Sequence, residues 1–149
     1  MDETISIEHL LERAVQIAER QHAGQVDKAG RPYIEHPKRV MSAMRNDAER
    51  IVAVLHDAIE DTDLTIDELA AEGFPGYLLE ALDSVTRRDG EEYEAFIARA
   101  AANAIGRRVK YADLQDNADL GRIASPTAAD LARTAKYHRA MAQLDAIIS

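Results

Sequence analysis

Apolar residues recur every three or four positions along almost the whole chain, and nowhere does a run of alternating β-branched residues reach strand length. A helix gathers positions i, i+3, i+4 and i+7 on one side, whereas a half-buried strand needs every second residue. A chain patterned in this way buries its apolar atoms as packed helices, and an all-α fold follows. At 149 residues, 46% of them hydrophobic, it is long enough for one substantial core and short for two, so a single domain is expected.

Start and stop signals divide the pattern. A first helix is expected from near Ser6, with Ile7, Leu10, Leu11, Ala14, Val15 and Ala18 on one stripe and Gly24 at its end. Pro37 suits the first position of a second helix reaching about Arg45, which places His36 at a helix mouth. A third helix is predicted over Ala48 to Asp61. Thr65-Ile66-Asp67-Glu68 has the form of a capping box, and Leu64 with Leu69 forms a hydrophobic staple around it. Further helices are expected at about Tyr77 to Val85, Glu91 to Ala104, Gly106 to Leu120 and Ala128 to Ile148, a bundle of roughly seven.

Composition removes several function classes. No stretch approaches the roughly 18 uninterrupted apolar residues of a membrane span, and Met1-Asp2-Glu3-Thr4 lacks a signal peptide's basic start, so a cytoplasmic protein is expected. Without cysteine, any metal must be held by nitrogen and oxygen. A net charge of -9, from 27 acidic against 18 basic residues, offers no broad positive surface for nucleic acid or anionic lipid. A small anionic substrate remains compatible, because a bound dication and a few basic side chains reverse the sign inside one cleft. Assembly into a homo-oligomer is left open.

The densest chemistry lies on the third predicted helix. His56-Asp57 follows apolar Val54-Leu55, where two ionisable groups are costly unless paired or metal-bound. Glu60 and Asp61 lie one turn on, and three carboxylates on one turn repel each other unless a cation intervenes or the face is simply solvated. Asp113 and Asn117, four apart, share a helix face and could serve as ligand and substrate contact, or as surface. His36 beside Pro37 suits a ligand whose ring must stay fixed, and equally an exposed or capping histidine. His22 is expected to be buried and hydrogen-bonded, and His9 and His138 to be surface residues. His36, His56, Asp57 and Asp113 together make a mixed nitrogen and oxygen shell suited to six-coordinate Mn²⁺ as first choice, with Fe²⁺ or another divalent ion as alternatives. Four such ligands leave two positions for water and a phosphoryl oxygen.

In order, Gln21-His22-Ala23-Gly24-Gln25, Gly30-Arg31-Pro32-Tyr33-Ile34-Glu35-His36-Pro37, Leu55-His56-Asp57-Ala58-Ile59-Glu60-Asp61-Thr62 and Val109-Lys110-Tyr111-Ala112-Asp113-Leu114-Gln115-Asp116-Asn117 resemble the HD hydrolase domain of RelA/SpoT-type proteins, above all the stand-alone small alarmone hydrolases. The resemblance runs from about Ala14 to Tyr137, and residues 1–149 read as one HD-type domain. It implies an Mn²⁺-dependent hydrolase that removes 3′-pyrophosphate from guanosine tetra- or pentaphosphate. The implied metal ligands are His36, His56, Asp57 and Asp113. Glu60 and Asp61 match the pair that activates or orients the attacking water. Lys28, Asn117, Arg133 and Tyr137 match substrate contacts.

Two departures bear on the substrate. Asp27 stands where the family usually has a basic residue beside Lys28, replacing attraction to the base by negative charge. Leu114 and Asp116 occupy positions where a basic and a neutral residue are usual. An HD phosphohydrolase acting on an adenine alarmone or a nucleoside monophosphate is the alternative reading, and a catalytically silent ligand-binding domain is a third.

Overall fold

The computed structural model describes residues 5–120, 123 and 125–148. They form nine helical segments and no strand beyond an isolated bridge between Val26 and Pro32. The segments are α1 (Ile7–Gln21), α2 (Glu35–Ser42), α3 (Asp47–Leu55), α4 (Ala58–Asp61), α5 (Ile66–Ala71), α6 (Gly76–Ser84), α7 (Tyr93–Ala101), α8 (Ala104–Asn117) and α9 (Ala128–Ile148). No helix among the described residues is long and apolar enough to cross a membrane.

The α3 helix is the axis of the fold. Ile51, Val52, Ala53, Val54 and Leu55 are all fully buried, so the C-terminal half of this helix is apolar all round rather than along one stripe. It packs against α1, α2, α6 and α8. Its start is fixed by Asn46, whose side chain accepts the Glu49 N–H, as Ser6 does for His9 in α1 and Thr65 for Glu68 in α5. The predicted staple is present around Thr65, with Leu64 and Leu69 both buried. Gly106 of α8 lies so close to α6 that a β-carbon there would stand 2.0 Å from the Ser84 hydroxyl, and glycine is what lets these two helices meet. A smaller apolar cluster joins α7, α8 and α9 through Ile97, Ala101, Leu114, Ala140 and Leu144.

Two boundaries differ from expectation in ways that matter. The α2 helix starts at Glu35, so His36 and Pro37 both lie in its first turn, where the missing proline N–H costs nothing. The expected third helix is two pieces, α3 and α4, separated at His56 and Asp57. At the break, the His56 N–H and the His56 Nδ1 both turn to the Ala53 carbonyl. A continuous helix would give that carbonyl to Asp57, so the imidazole competes with the backbone ladder. The α9 helix spans the predicted residues.

Candidate metal centre and its cleft

Three of the four expected ligands arrive from the ends of packed helices: His36 from the first turn of α2, and His56 and Asp57 from the α3–α4 break. Asp113 comes from within α8. Each offers one donor atom, and the four atoms lie within 4.8 Å of one another. His36 Nε2 stands 2.9 Å from Asp113 Oδ1 and 3.3 Å from Asp57 Oδ2, and His56 Nε2 stands 3.1 and 3.2 Å from the same two oxygens. His36, His56 and Asp113 are each at most 5% exposed. Both residues at the break keep right-handed helical backbone angles, and they reach one point from adjacent positions over their shared edge.

The tautomers show what this group of side chains accepts. A carbonyl oxygen only accepts, so His56 Nδ1 must donate to Ala53. His36 Nδ1 lies 2.5 Å from Asp116 Oδ2, and the Asp116 carboxylate is also gripped by both Arg39 Nε and Nη2. In the neutral imidazoles both Nε2 atoms then carry the lone pair and face the two carboxylates. Neutral imidazoles and carboxylates converging on one space are balanced either by protons on the histidines or by a cation, and the set of two imidazoles and two carboxylates fits a divalent metal. With protons alone to fill that role, burial opposes the charge but Asp113, Asp116 and Asp57 push His36 up to about 11. Burial likewise opposes charge on His56, while Asp57 and Asp113 push it up to about 10.

Three further groups hold the carboxylates in place. Tyr33 donates its hydroxyl to Asp57 Oδ2 at 2.8 Å, Lys110 Nζ reaches Asp113 Oδ2 at 2.9 Å, and Asn117 Nδ2 donates to Asp113 Oδ1 at 3.1 Å. Burial and Asp57 raise the Tyr33 hydroxyl well above its ordinary range, so it stays a donor. Sequence reasoning misses Lys110, Arg39 and the part played by Tyr33. The i, i+3 spacing of Lys110 to Asp113 is a legible signal, whereas the Asp116–Arg39 pair joins residues 77 apart and has none.

Glu60 and Asp61 lie beside the cage and open to solvent. Burial of part of each carboxylate raises Glu60, with Asp57 and Asp61 adding to the effect, and raises Asp61, with Asp57 adding. Glu60 also accepts the backbone N–H of Arg87. On the other side lies a cleft of about 390 Å³, of a size that takes a small ligand. Lys28, Asn117, Arg133 and Tyr137 all line it, together with Tyr33 and His36. Lys28 and Arg133 both face Asp130. Asp27 lines the cleft as well, and its Oδ1 accepts the N–H groups of Ala29 and Arg31, each at 2.9 Å. The residue that reads in sequence as a lost base contact is thus also the organiser of the 27–31 turn.

His22 is buried, with Nδ1 2.9 Å from Gln25 Oε1, and its ring packs 5.1 Å from that of Tyr33; it stands outside the four-donor set. His9 and His138 are exposed.

Comparison with known proteins follows the same lines. No family model matches the chain. A guanosine-3′,5′-bis(diphosphate) 3′-pyrophosphohydrolase of Aquifex aeolicus is 32% identical over 119 residues, 72% of this chain and 17% of that protein. One of the same name from Vibrio cholerae is 39% identical over 83 residues, 53% of this chain and 12% of that protein. A GTP pyrophosphokinase of Streptomyces coelicolor is 34% identical over 105 residues, 65% of this chain and 12% of that protein. A solved structure of a metazoan ortholog of SpoT, described as hydrolysing ppGpp, superimposes with a TM-score of 0.67 at 21% identity over 93% of both chains. The fold is that of the RelA/SpoT-type HD hydrolases. The chain spans less than a fifth of the length of the curated relatives it matches, 12% and 17% in these cases.

Proposed function

We propose that this RelA/SpoT-like chain is a metal-dependent hydrolase that removes the 3′-pyrophosphate of guanosine tetra- or pentaphosphate. The observation that carries the reading is the convergence of four donor atoms, from His36, His56, Asp57 and Asp113, beside two carboxylates of raised pKa and a cleft sized for a small ligand. The relatives named as 3′-pyrophosphohydrolases support the substrate class.

The four donors would hold the ion, with Mn²⁺ favoured by the mixed imidazole and carboxylate set, and when bound it supplies Lewis-acid activation of water and neutralises charge on the phosphoryl oxygens. The chain's own groups do the rest. Asp116 and the Ala53 carbonyl fix the two histidine tautomers, and Tyr33 and Lys110 fix the two aspartates. Glu60, with Asp61, takes the proton of the attacking water, a task suited to a carboxylate whose pKa lies above its ordinary value. Water attacks the phosphorus bonded to O3′, the P–O3′ bond breaks, the nucleoside oxygen takes up a proton and pyrophosphate is released. Lys28, Asn117, Arg133 and Tyr137 bind and orient the nucleotide from the cleft wall.

One observation favours a different nucleotide for the same chemistry: the Asp27 carboxylate lines the cleft where a base or phosphate would lie. The test is product analysis with Mn²⁺ on guanosine tetraphosphate, its adenine counterpart and ordinary nucleoside mono- and triphosphates. Pyrophosphate released from guanosine tetraphosphate alone supports the first reading. Phosphate released from monophosphates, or turnover of the adenine compound alone, moves the assignment to the second, and no turnover of any of them with metal bound overturns both.

A further inference from the structure

Beyond the cage, on the side of Glu60, three cationic side chains gather around one aromatic pair in a chain whose net charge is -9. The Arg87 guanidinium stands 5.7 Å from the centroid of the Tyr93 ring, Lys136 Nζ stands 3.8 Å from the same centroid, and Lys110 Nζ lies 4.7 Å from that of Phe96. Lys110 is spoken for by Asp113. The other two have no carboxylate partner among the described residues. Among the described residues the Arg87 guanidinium donates to the neutral Glu91 carbonyl, while the Glu91 carboxylate is held by Arg99. Lys136 is half-buried, and burial followed by Arg87, Lys110 and Arg139 holds it below its ordinary pKa.

The cluster also contains an unspent donor. The Tyr93 hydroxyl is buried and has no hydrogen-bond partner among the described residues, an arrangement that costs free energy unless something accepts from it. Burial and the charge of Asp113 raise its pKa, so it keeps its proton. Tyr93 and Tyr137, which lines the cleft, pack against the same apolar cluster, and the backbone N–H of Arg87 is bonded to Glu60. The cluster thus adjoins Glu60 through Arg87 and Asp113 through Lys110, which lies over Phe96.

The geometry points to an anion subsite made by Tyr93, Arg87 and Lys136 that receives the pyrophosphoryl end of the substrate while the cleft holds the nucleoside. The subsite rests on the pyrophosphohydrolase reading for its natural ligand. A diphosphate supplies what the cluster lacks: two or more anionic oxygens for the cations, and an acceptor for the phenol in charge-assisted hydrogen bonds. It would also explain how a strongly acidic protein holds a polyanion at one point.

The test is calorimetric titration of inorganic pyrophosphate, and separately of guanosine 5′-diphosphate, into the metal-loaded protein and into Lys136→Gln, Arg87→Gln and Tyr93→Phe. Pyrophosphate affinity should fall about tenfold in the two charge variants and about threefold in Tyr93→Phe, with bound metal and nucleoside diphosphate affinity changed less than twofold. Equal pyrophosphate affinity in all four proteins overturns the subsite, as does a loss that falls on the nucleoside diphosphate instead. Should the protein fail to hydrolyse 3′-pyrophosphorylated nucleotides yet lose pyrophosphate binding in Lys136→Gln, the proposed activity falls and the subsite stands. Hydrolysis with unaltered pyrophosphate binding in the variants leaves the activity standing and overturns the subsite.

Discussion

The four-donor cage and the cleft wall are built on different foundations. Every cage residue projects from α2, the α3–α4 break or α8, elements packed around the buried Ile51–Leu55 stretch of α3. Each is held again by a second group: Asp116 behind His36, the Ala53 carbonyl behind His56, Tyr33 behind Asp57 and Lys110 behind Asp113. The wall is lighter. Lys28 sits in a turn with most of its side chain in solvent, and Arg133 and Tyr137 lie on α9, which packs on the smaller apolar cluster. The difference teaches where variation is cheap. Altering a wall residue changes which molecule binds, whereas altering a cage residue leaves buried charge unpaired.

The largest effects should therefore fall on the cage. Asp57→Ala is expected to lose bound metal and activity together, read by metal analysis and turnover. Glu60→Ala should lower kcat by about 10²- to 10⁴-fold, the usual worth of a general base, while metal content stays at the wild-type level. Loss of metal from both variants would place Glu60 in the cage and remove its separate role.

The carboxylate behind His36 gives the next largest effect. Asp116→Asn removes the charge that fixes the His36 tautomer and frees Arg39. Metal affinity should drop about 10- to 100-fold, measured by competition with a chelator, and the fold should survive. An unchanged affinity would mean that the first turn of α2 alone orients the ring.

The two regions also differ in how far the sequence disclosed them. The all-α fold, the caps at Ser6 and Thr65 and the span of α9 were readable because they depend on local spacing and on residues three or four apart. The four-donor set was readable only in part. His56 and Asp57 are legible as polar residues after an apolar run, but the break between α3 and α4 and the bond from His56 back to Ala53 are not announced by propensity. Asp116 looked like a departure from a family pattern, and its position against His36 and Arg39 required α2 and α8 to be packed first. Asp27 was likewise legible as a charge and illegible as a turn organiser.

A metal-free protein exposes the cage's dependence on charge. His36 and His56 are raised to about 11 and about 10, above the value of about 6.5 for an unfolded histidine. Their protonation stabilises the fold fully below about pH 6.5 and is lost as pH climbs through the folded values. Thermal unfolding of the chelated protein should therefore show Tm falling by several degrees between pH 7 and 10. The metal-loaded protein should change less, because the ion takes the protons' place; parallel curves would show that the cage carries little of the pH dependence.

The smallest expected effect probes the wall. Asp27→Asn keeps a side-chain oxygen for the Ala29 and Arg31 N–H groups and removes only the charge, so the 27–31 turn should hold. A half-exposed charge facing an anionic ligand is worth up to about 1 kcal/mol, so KM for guanosine tetraphosphate should fall by up to about fivefold with kcat and metal content unchanged. Asp27→Ala removes the acceptor too and should raise KM by loosening the turn. A shift in kcat with Asp27→Asn would mean that the turn reaches the reacting phosphorus, and the division between a rigid cage and an adjustable wall would have to be redrawn there.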